Sequence, residues 1–324
     1  MQDSIPEISL VVPVYNEQDV LSAFYAAVLA NSSQWNCTWE LIFVDDGSVD
    51  NSKKILHSIA DGDEHVRIIH LSRNFGHQPA LSAGMSKAKG DAIIMMDADL
   101  QDPPELIAQL IAKWREGFDV VYAIRRERKE GIFLRFAFKM FYKILHASST
   151  IHIPEDSGDF SLISKRVAKI MLQQFPEKSR FLRGLRAYTG FQQTGVPYPR
   201  PERFKGVSKY SLSKLMRLAF DGWFGFSNKP LRIATYLGVL FAVPSFFIGL
   251  LYIFNKLFGF TIYTYPSTDQ PGVATITVAV FFIGGITLFI LGIIGEYIAR
   301  IYEEVKARPT FIIESEYVSN KTNT

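Results

Sequence analysis

The residues best suited to chemistry are the carboxylates of Asp97-Ala98-Asp99-Leu100-Gln101-Asp102-Pro103-Pro104. They follow the apolar run Ala92-Ile93-Ile94-Met95-Met96, which reads as a fully buried strand. Two carboxylates one residue apart at the end of such a strand cannot both face the core, where each would remain unpaired or take up a proton. A divalent cation with oxygen ligands removes that penalty, and such ions commonly hold substrate phosphates. Taken alone, the stretch also fits a solvated acidic turn, because Asp and Pro are ordinary turn residues. A second acidic pair, Asp45-Asp46, follows the apolar run Leu41-Ile42-Phe43-Val44.

The elements that position these pairs alternate. Strands are expected over 8–14, 40–44, 66–71, 92–96 and 119–124. Helices are expected over 17–30, from Asp50 or Ser52 to about 59, over 78–87 and over 105–116, the last opened by Pro103-Pro104. This βαβα order predicts a mostly parallel sheet with helices on both faces. Ligands of such folds sit beyond the carboxyl ends of the strands, where both acidic pairs fall.

Composition narrows the class further. A net charge of +3 in 324 residues gives no argument for nucleic acid, but basic residues cluster at 125–129 and at 200–217. Such clusters suit phosphates or anionic lipid heads. The single cysteine, Cys37, excludes an intrachain disulfide, and no cleaved signal peptide is expected. Two uncharged runs, 233–255 and 270–295, each reach the roughly 20 residues that cross a bilayer core. The connector 259–272 carries no Lys or Arg, whereas Arg217, Lys229 and Arg232 precede the first run and Arg300, Lys306 and Arg308 follow the second. The positive-inside rule then places both chain ends and the N-terminal domain in the cytoplasm. Segments 131–146 and 211–230 mix bulky apolar residues with cations and suit the membrane interface or packing against the globular domain. The expected organisation is a catalytic domain over 1–210, a juxtamembrane segment over 211–230, two spans within 231–299 (about 233–255 and 272–295) and a tail over 300–324.

The chain resembles the membrane-anchored family 2 glycosyltransferases that act on polyprenyl phosphates, particularly the bacterial bactoprenol glucosyltransferases and, more distantly, dolichol-phosphate mannosyltransferases. The segments carrying the resemblance are 12–17 (VPVYNE), 44–48 (VDDGS), 71–76 (LSRNFG), 97–104, 157–160 (SGDF), 204–210 (FKGVSKY) and 295–302 (GEYIARIY). The resemblance implies a GT-A fold and inverting transfer of a hexose, glucose from UDP-glucose first among donors, to undecaprenyl or another polyprenyl phosphate. It places the protein in the bacterial inner membrane, with a homo-oligomer as one arrangement. Pro13, Tyr15, Glu17, Asp45 and Asp97 would bind the donor nucleotide. Asp97, Asp99 and Gln101 would hold Mg²⁺ or Mn²⁺ against its diphosphate. Asp159 would stand at the reacting centre as base or acceptor orienter, unless it caps a helix over 162–172. Arg125, Arg203 and Lys209 would position the acceptor phosphate. His77 reads as structural or pocket-lining. Other donor sugars, a processive polysaccharide synthase, a lipid-linked-sugar carrier and a nucleotide-sugar-binding scaffold without turnover are the competing readings. The synthase reading lacks its Gln-x-x-Arg-Trp segment, since the nearest region is Phe181-Leu182-Arg183-Gly184-Leu185-Arg186.

Overall fold

The strand-forming runs are apolar on both faces, and a sheet can bury both faces only under helices on either side. The computed structural model, which describes residues 5–125, 157–175, 177–178, 180–199, 229–258 and 273–319, builds that arrangement. The chain divides into two units, residues 1–222 with 308–324, and residues 223–307.

In the first unit, β1 (Ile8–Val14), β2 (Trp39–Asp45), β3 (Val66–Leu71) and β4 (Ala92–Met95) alternate with helices α1 (Leu21–Ser32), α2 (Ser52–Gly62) and α3 (His77–Lys87). A short 3₁₀ turn and α4 (Ile107–Arg115) lead to β5 (Val120–Arg125). Next among the described residues come β6 (Ser157–Ser164), α5 (Lys165–Gln173), α6 (Leu182–Tyr188) and β7 (Gln193–Tyr198). One eight-stranded sheet results, in the order β7-β5-β6-β4-β1-β2-β3-β8. Its last strand, β8 (Ile313–Val318), comes from the segment expected as a tail and pairs antiparallel with β3. Strand β6 also runs antiparallel, between β4 and β5.

The strand order reverses between β1 and β4, the switch point at which the ligand crevice of such sheets lies. Strand β4 stops at Met95, opposite Val11, and the Met96 amide donates to the Val11 carbonyl as their last bond. Pro13, two residues on, lies on the same side of β1 and has no ladder partner to lose. A proline inside a central strand is tolerated for that reason. One face is sealed over Leu10, Val12, Phe43, Ile68 and Ile94, with Phe24 and Leu110 from the helices, and the other over Val11, Ile42, Val44 and Ile93, all buried.

Two differences from the expected boundaries bear on the site. Helix α1 begins at Leu21 because Asn16 adopts a left-handed φ of 54° and the residues after it bond to the loop following β2. Residues 157–164 form a strand and the helix begins only at Lys165, so Asp159 is not a helix cap.

The second unit contains α7 (Lys229–Phe258) and α8 (Val273–Val305). They meet edge-to-face through Phe241 and Phe282, whose ring centroids are 5.3 Å apart. Val239, Phe246, Phe247, Val280, Ile283, Leu288 and Phe289 are exposed on their surfaces. Among the described residues, Phe282–Val305 is long and apolar enough to cross a membrane, with a mean hydropathy of 1.9.

Helix α3 packs on the sheet through Gly84, where an added Cβ would stand 2.2 Å from Val11 Cγ1 and 2.9 Å from Val44 Cγ2. Both neighbours are stiff branched side chains on buried strands. Gly84→Ala is therefore expected to destabilise by about 1–3 kcal/mol through overpacking, despite a helix-propensity gain of about 1 kcal/mol. Thermal unfolding of the purified protein checks this, and an unchanged or raised midpoint contradicts the close approach.

Candidate functional site

Three loops at the carboxyl ends of β1, β2 and β3 are stitched together by side chains. After β1, the Asn16 amide donates to Ser48 Oγ (3.1 Å) and Asn16 Oδ1 accepts from the Val49 amide (2.9 Å). The Glu17 amide donates to Ser52 Oγ (3.0 Å), and Gln18 Oε1 accepts from the Asn51 amide (3.0 Å). Asp46 reaches to the third loop and accepts from the amides of Phe75 (2.7 Å) and Gly76 (2.9 Å). Burial nonetheless leaves its carboxyl above the ordinary range. Gly47 has a φ of 70°, and a Cβ there would meet the Arg73 carbonyl carbon and the Asn74 nitrogen at 2.7 Å. Only glycine serves both demands. Asp45 ends β2 and is buried. Its Oδ1 accepts from the Ser48 amide (2.9 Å), and its Oδ2 lies 2.9 Å from His70 Nδ1.

Beside these loops, the β4–β6 pairing brings two distant carboxylates together. Its register sets Met95 against Ser161, so two residues on, Asp97 and Asp159 come level. His77, at the start of α3, joins them: its Nε2 is 3.5 Å from Asp97 Oδ1 and 3.5 Å from Asp159 Oδ2. Burial opposes the charged imidazolium, but the Asp97 carboxylate, followed by the hydrogen bond and charge of Asp159, raises the His77 pKa above its ordinary range. Asp159 is in turn gripped by Arg183, whose Nε and Nη2 donate to Oδ1 (2.8 Å) and Oδ2 (3.1 Å). Gln78 Nε2 donates to Oδ2 as well (3.1 Å), and Gln78 Oε1 accepts from the Leu182 amide (3.1 Å), which orients the helix carrying Arg183. Burial alone would raise the Asp159 pKa. The Arg183 charge and the bonds from His77 and Arg183 outweigh it and hold the carboxyl well below the usual range. Behind the pair, Arg186 is 3% exposed and lies over the Tyr122 ring at 5.4 Å. Its Nη2 is buried without a hydrogen bond, and burial lowers its pKa to about 10 against the pull of Asp159.

The acidic motif itself divides. Asp102 is 2% exposed and accepts from the Tyr198 hydroxyl of β7 (2.8 Å), so it has a structural partner. Asp97 keeps 39% of its side chain accessible, while Asp99 is half-buried and accepts from the Gln101 amide (3.1 Å). Among the described residues, no three His, Cys, Asp or Glu side chains converge as a metal cage. Mg²⁺ bound against substrate phosphates needs only one or two carboxylates and completes its shell with phosphate oxygens and water. The partly open pair Asp97 and Asp99 fits that donor set. Tyr15 is exposed and Pro13 and Glu17 are half-buried around the first loop, so these three and Asp45 share the crevice end of the sheet. Arg125 is the last residue of β5. Arg203, Lys209 and the segments 131–146 and 211–228 lie outside the described residues.

Residues 9–171, half of the chain, match the model of glycosyl transferase family 2. The chain belongs to that family. The match takes in both the Asp97 and Asp159 positions, whereas Arg183 and Arg186 lie beyond it. An uncharacterized glycosyltransferase of Synechocystis sp. is 44% identical over 308 residues, covering 95% of this chain and 94% of that one. The SfII prophage-derived bactoprenol glucosyl transferase of Shigella flexneri is 40% identical over 316 residues, covering 97% and 99%. The prophage bactoprenol glucosyl transferase homolog of Escherichia coli K12 is 39% identical over 310 residues, covering 95% and 98%.

Sequence reasoning about this glycosyltransferase missed the set around Asp159. His77 reads from the sequence as structural or pocket-lining, and in the structure it bridges Asp97 and Asp159. Arg183 and Arg186 went unassigned, although two arginines three apart on one short helix share a face. That spacing was the available signal.

The Asp159–Arg183 pair gives a pH-dependent outcome. The folded pKa of Asp159 is depressed, so the pair's contribution is complete above about pH 4, where the unfolded carboxyl ionises. It is lost as pH falls through the folded value. Arg183→Met strands a buried carboxylate and is expected to cost about 3–5 kcal/mol near neutral pH. The deficit should shrink in acid. Denaturant unfolding of both proteins across pH 3–7 checks this, and a pH-independent difference contradicts it.

Proposed function

We propose that this family 2 enzyme transfers a hexose from a nucleotide sugar, UDP-glucose first among donors, to undecaprenyl or another polyprenyl phosphate. The observation that carries the reading is the Asp97–His77–Asp159–Arg183 cluster at the crevice of the sheet, in a chain similar over nearly its whole length to bactoprenol glucosyl transferases. Pro13, Tyr15, Glu17 and Asp45 surround the donor nucleoside. Asp97 and Asp99, with Gln101, hold Mg²⁺ or Mn²⁺ against the diphosphate. A bound cation there stabilises the charge that builds on the leaving diphosphate.

The acceptor explains why a depressed Asp159 suits the reaction. A phosphate monoester has its second pKa at about 6 and reaches the site largely ionised. One of its oxygens forms the new bond to the anomeric carbon while the bond from that carbon to the diphosphate oxygen breaks on the opposite face, with inversion. No proton has to leave the nucleophile. Asp159 is therefore an orienting residue: it keeps His77 charged and Arg183 fixed, and both are cations suited to face a phosphate. Arg125, Arg203 and Lys209 add positive charge for the acceptor. Helices α7 and α8 form a two-span hairpin that keeps the enzyme beside its lipid, with the catalytic unit and both chain ends cytoplasmic. Their exposed apolar surfaces and uncharged cores support that placement.

Purified protein given UDP-glucose, Mg²⁺ or Mn²⁺ and undecaprenyl phosphate is expected to form an organic-extractable glucolipid, and a panel of other nucleotide sugars ranks the donor. Failure with every donor defeats the reading and favours a binding scaffold. Asp99→Asn should lower turnover by roughly a hundredfold or more, the factor that several kcal/mol of lost transition-state stabilisation represents. Single cysteines placed in residues 259–272 should be labelled only from the periplasmic side, and those near 310 only from the cytoplasm. Labelling of both from one side contradicts the hairpin.

A further inference from the structure

A row of polar side chains runs from the donor loop to the edge of the sheet, and the mechanism above does not use it. Asp45 Oδ2 lies 2.9 Å from His70 Nδ1, and His70 Nε2 lies 2.9 Å from His57 Nε2 on α2. The His57 ring stacks on Tyr317 of β8 at 4.1 Å between centroids and 23° between planes. The Tyr317 hydroxyl donates to Asp61 Oδ1 (2.7 Å), back on α2. Asp45 and His70 are 3% and 2% exposed.

The donor directions follow from chemistry. An ionised carboxylate only accepts, so the proton between Asp45 and His70 sits on His70 Nδ1. With one proton on each ring, His70 Nε2 accepts and His57 donates from its own Nε2. Both histidine donors then point toward Asp45, while the Tyr317 hydroxyl is turned to Asp61. Burial, followed by the neighbouring His70 and Lys53, lowers the His57 pKa, which suits a neutral donor. Asp45 is held by His70 and by the amide and side chain of Ser48, which leaves part of its acceptor capacity for a ligand. Apolar packing would fill this edge without needing satisfied partners. A row of polar rings ending on one carboxylate fixes that carboxylate's rotamer and keeps it an acceptor.

We propose that His70 and His57 are positioning residues for Asp45, held at their outer end by Tyr317, so that strand β8 sets the enzyme's affinity for the donor nucleoside. This rests on the reading of Asp45 as a donor-binding residue.

The test uses the full chain in detergent micelles, with donor KM and kcat for UDP-glucose and calorimetric titration of UDP. Asp45→Asn should raise donor KM and weaken UDP binding. His57→Leu and Tyr317→Ala should each raise donor KM by about fivefold to tenfold, with kcat within about twofold. His57→Gln, whose amide nitrogen replaces the Nε2 donor, should restore KM to within about twofold. In the Asp45→Asn background, His57→Leu should add almost nothing, because the effect runs through Asp45. If Asp45→Asn weakens UDP binding while His57→Leu and Tyr317→Ala do not, the row has no positioning role and the donor-site reading stands. An effect of His57→Leu that persists in full beside Asp45→Asn marks general structure and overturns the proposal. An Asp45→Asn protein with unchanged UDP affinity removes the donor-site reading itself. Tyr317 is on an edge strand, so its variant carries the comparison if the His57→Leu protein does not fold.

Discussion

The site depends on one electrostatic constraint: four carboxylates crowd the end of a buried sheet, and each needs its own neutralising partner. Asp45 has His70 and the Ser48 amide, Asp46 has the Phe75 and Gly76 amides, Asp97 has His77, and Asp159 has Arg183 and Gln78. Left unpaired, the more buried among them, Asp45, Asp46 and Asp159, would neutralise by taking up protons. The partners come from β3, α3, α6 and the loops between, so satisfying the charges also locks those elements together. Loop stitching and site electrostatics are thus one set of bonds.

Strands β1 to β5 were legible because they are largely apolar runs bounded by Asp, Gly and Ser, whereas β7, with Gln193, Thr194 and Gly195, was not. Nor were the two antiparallel strands. In β6, Ser161 and Ser164 interrupt the pattern, yet both are buried, with Ser161 bonded to the Asp159 carbonyl and Ser164 to Asp119. Their polarity is satisfied locally and leaves no outward sign in the sequence. Strand β8 is short, charged and edge-lying, and its residues Ile313-Glu314-Ser315-Glu316-Tyr317 read as a tail. Its place is set by partners that are remote in sequence: Glu316 pairs with Lys87 and Arg67.

The site was half legible for a related reason. Asp45, Asp97 and Asp99 stand at the ends of recognisable strands, so their location follows from local pattern. The linkage of Asp97 to Asp159 needs the β4–β6 register, and the roles of His77 and Arg183 need that linkage. Tertiary pairing of this kind is not written in residue spacing. It also alters chemistry: a carboxylate that resemblance offers as a base is held ionised by an arginine.

The position of β8 in the chain has a consequence for how the protein is made. Its partner β3 is synthesised more than 200 residues earlier, and α7 and α8 emerge in between. Until the ribosome has passed residue 318, the β3 edge offers open backbone groups, the kind of template that invites wrong pairing. The catalytic sheet therefore cannot close before both long apolar helices have been synthesised, so completion of the enzyme waits on the last residues of its chain.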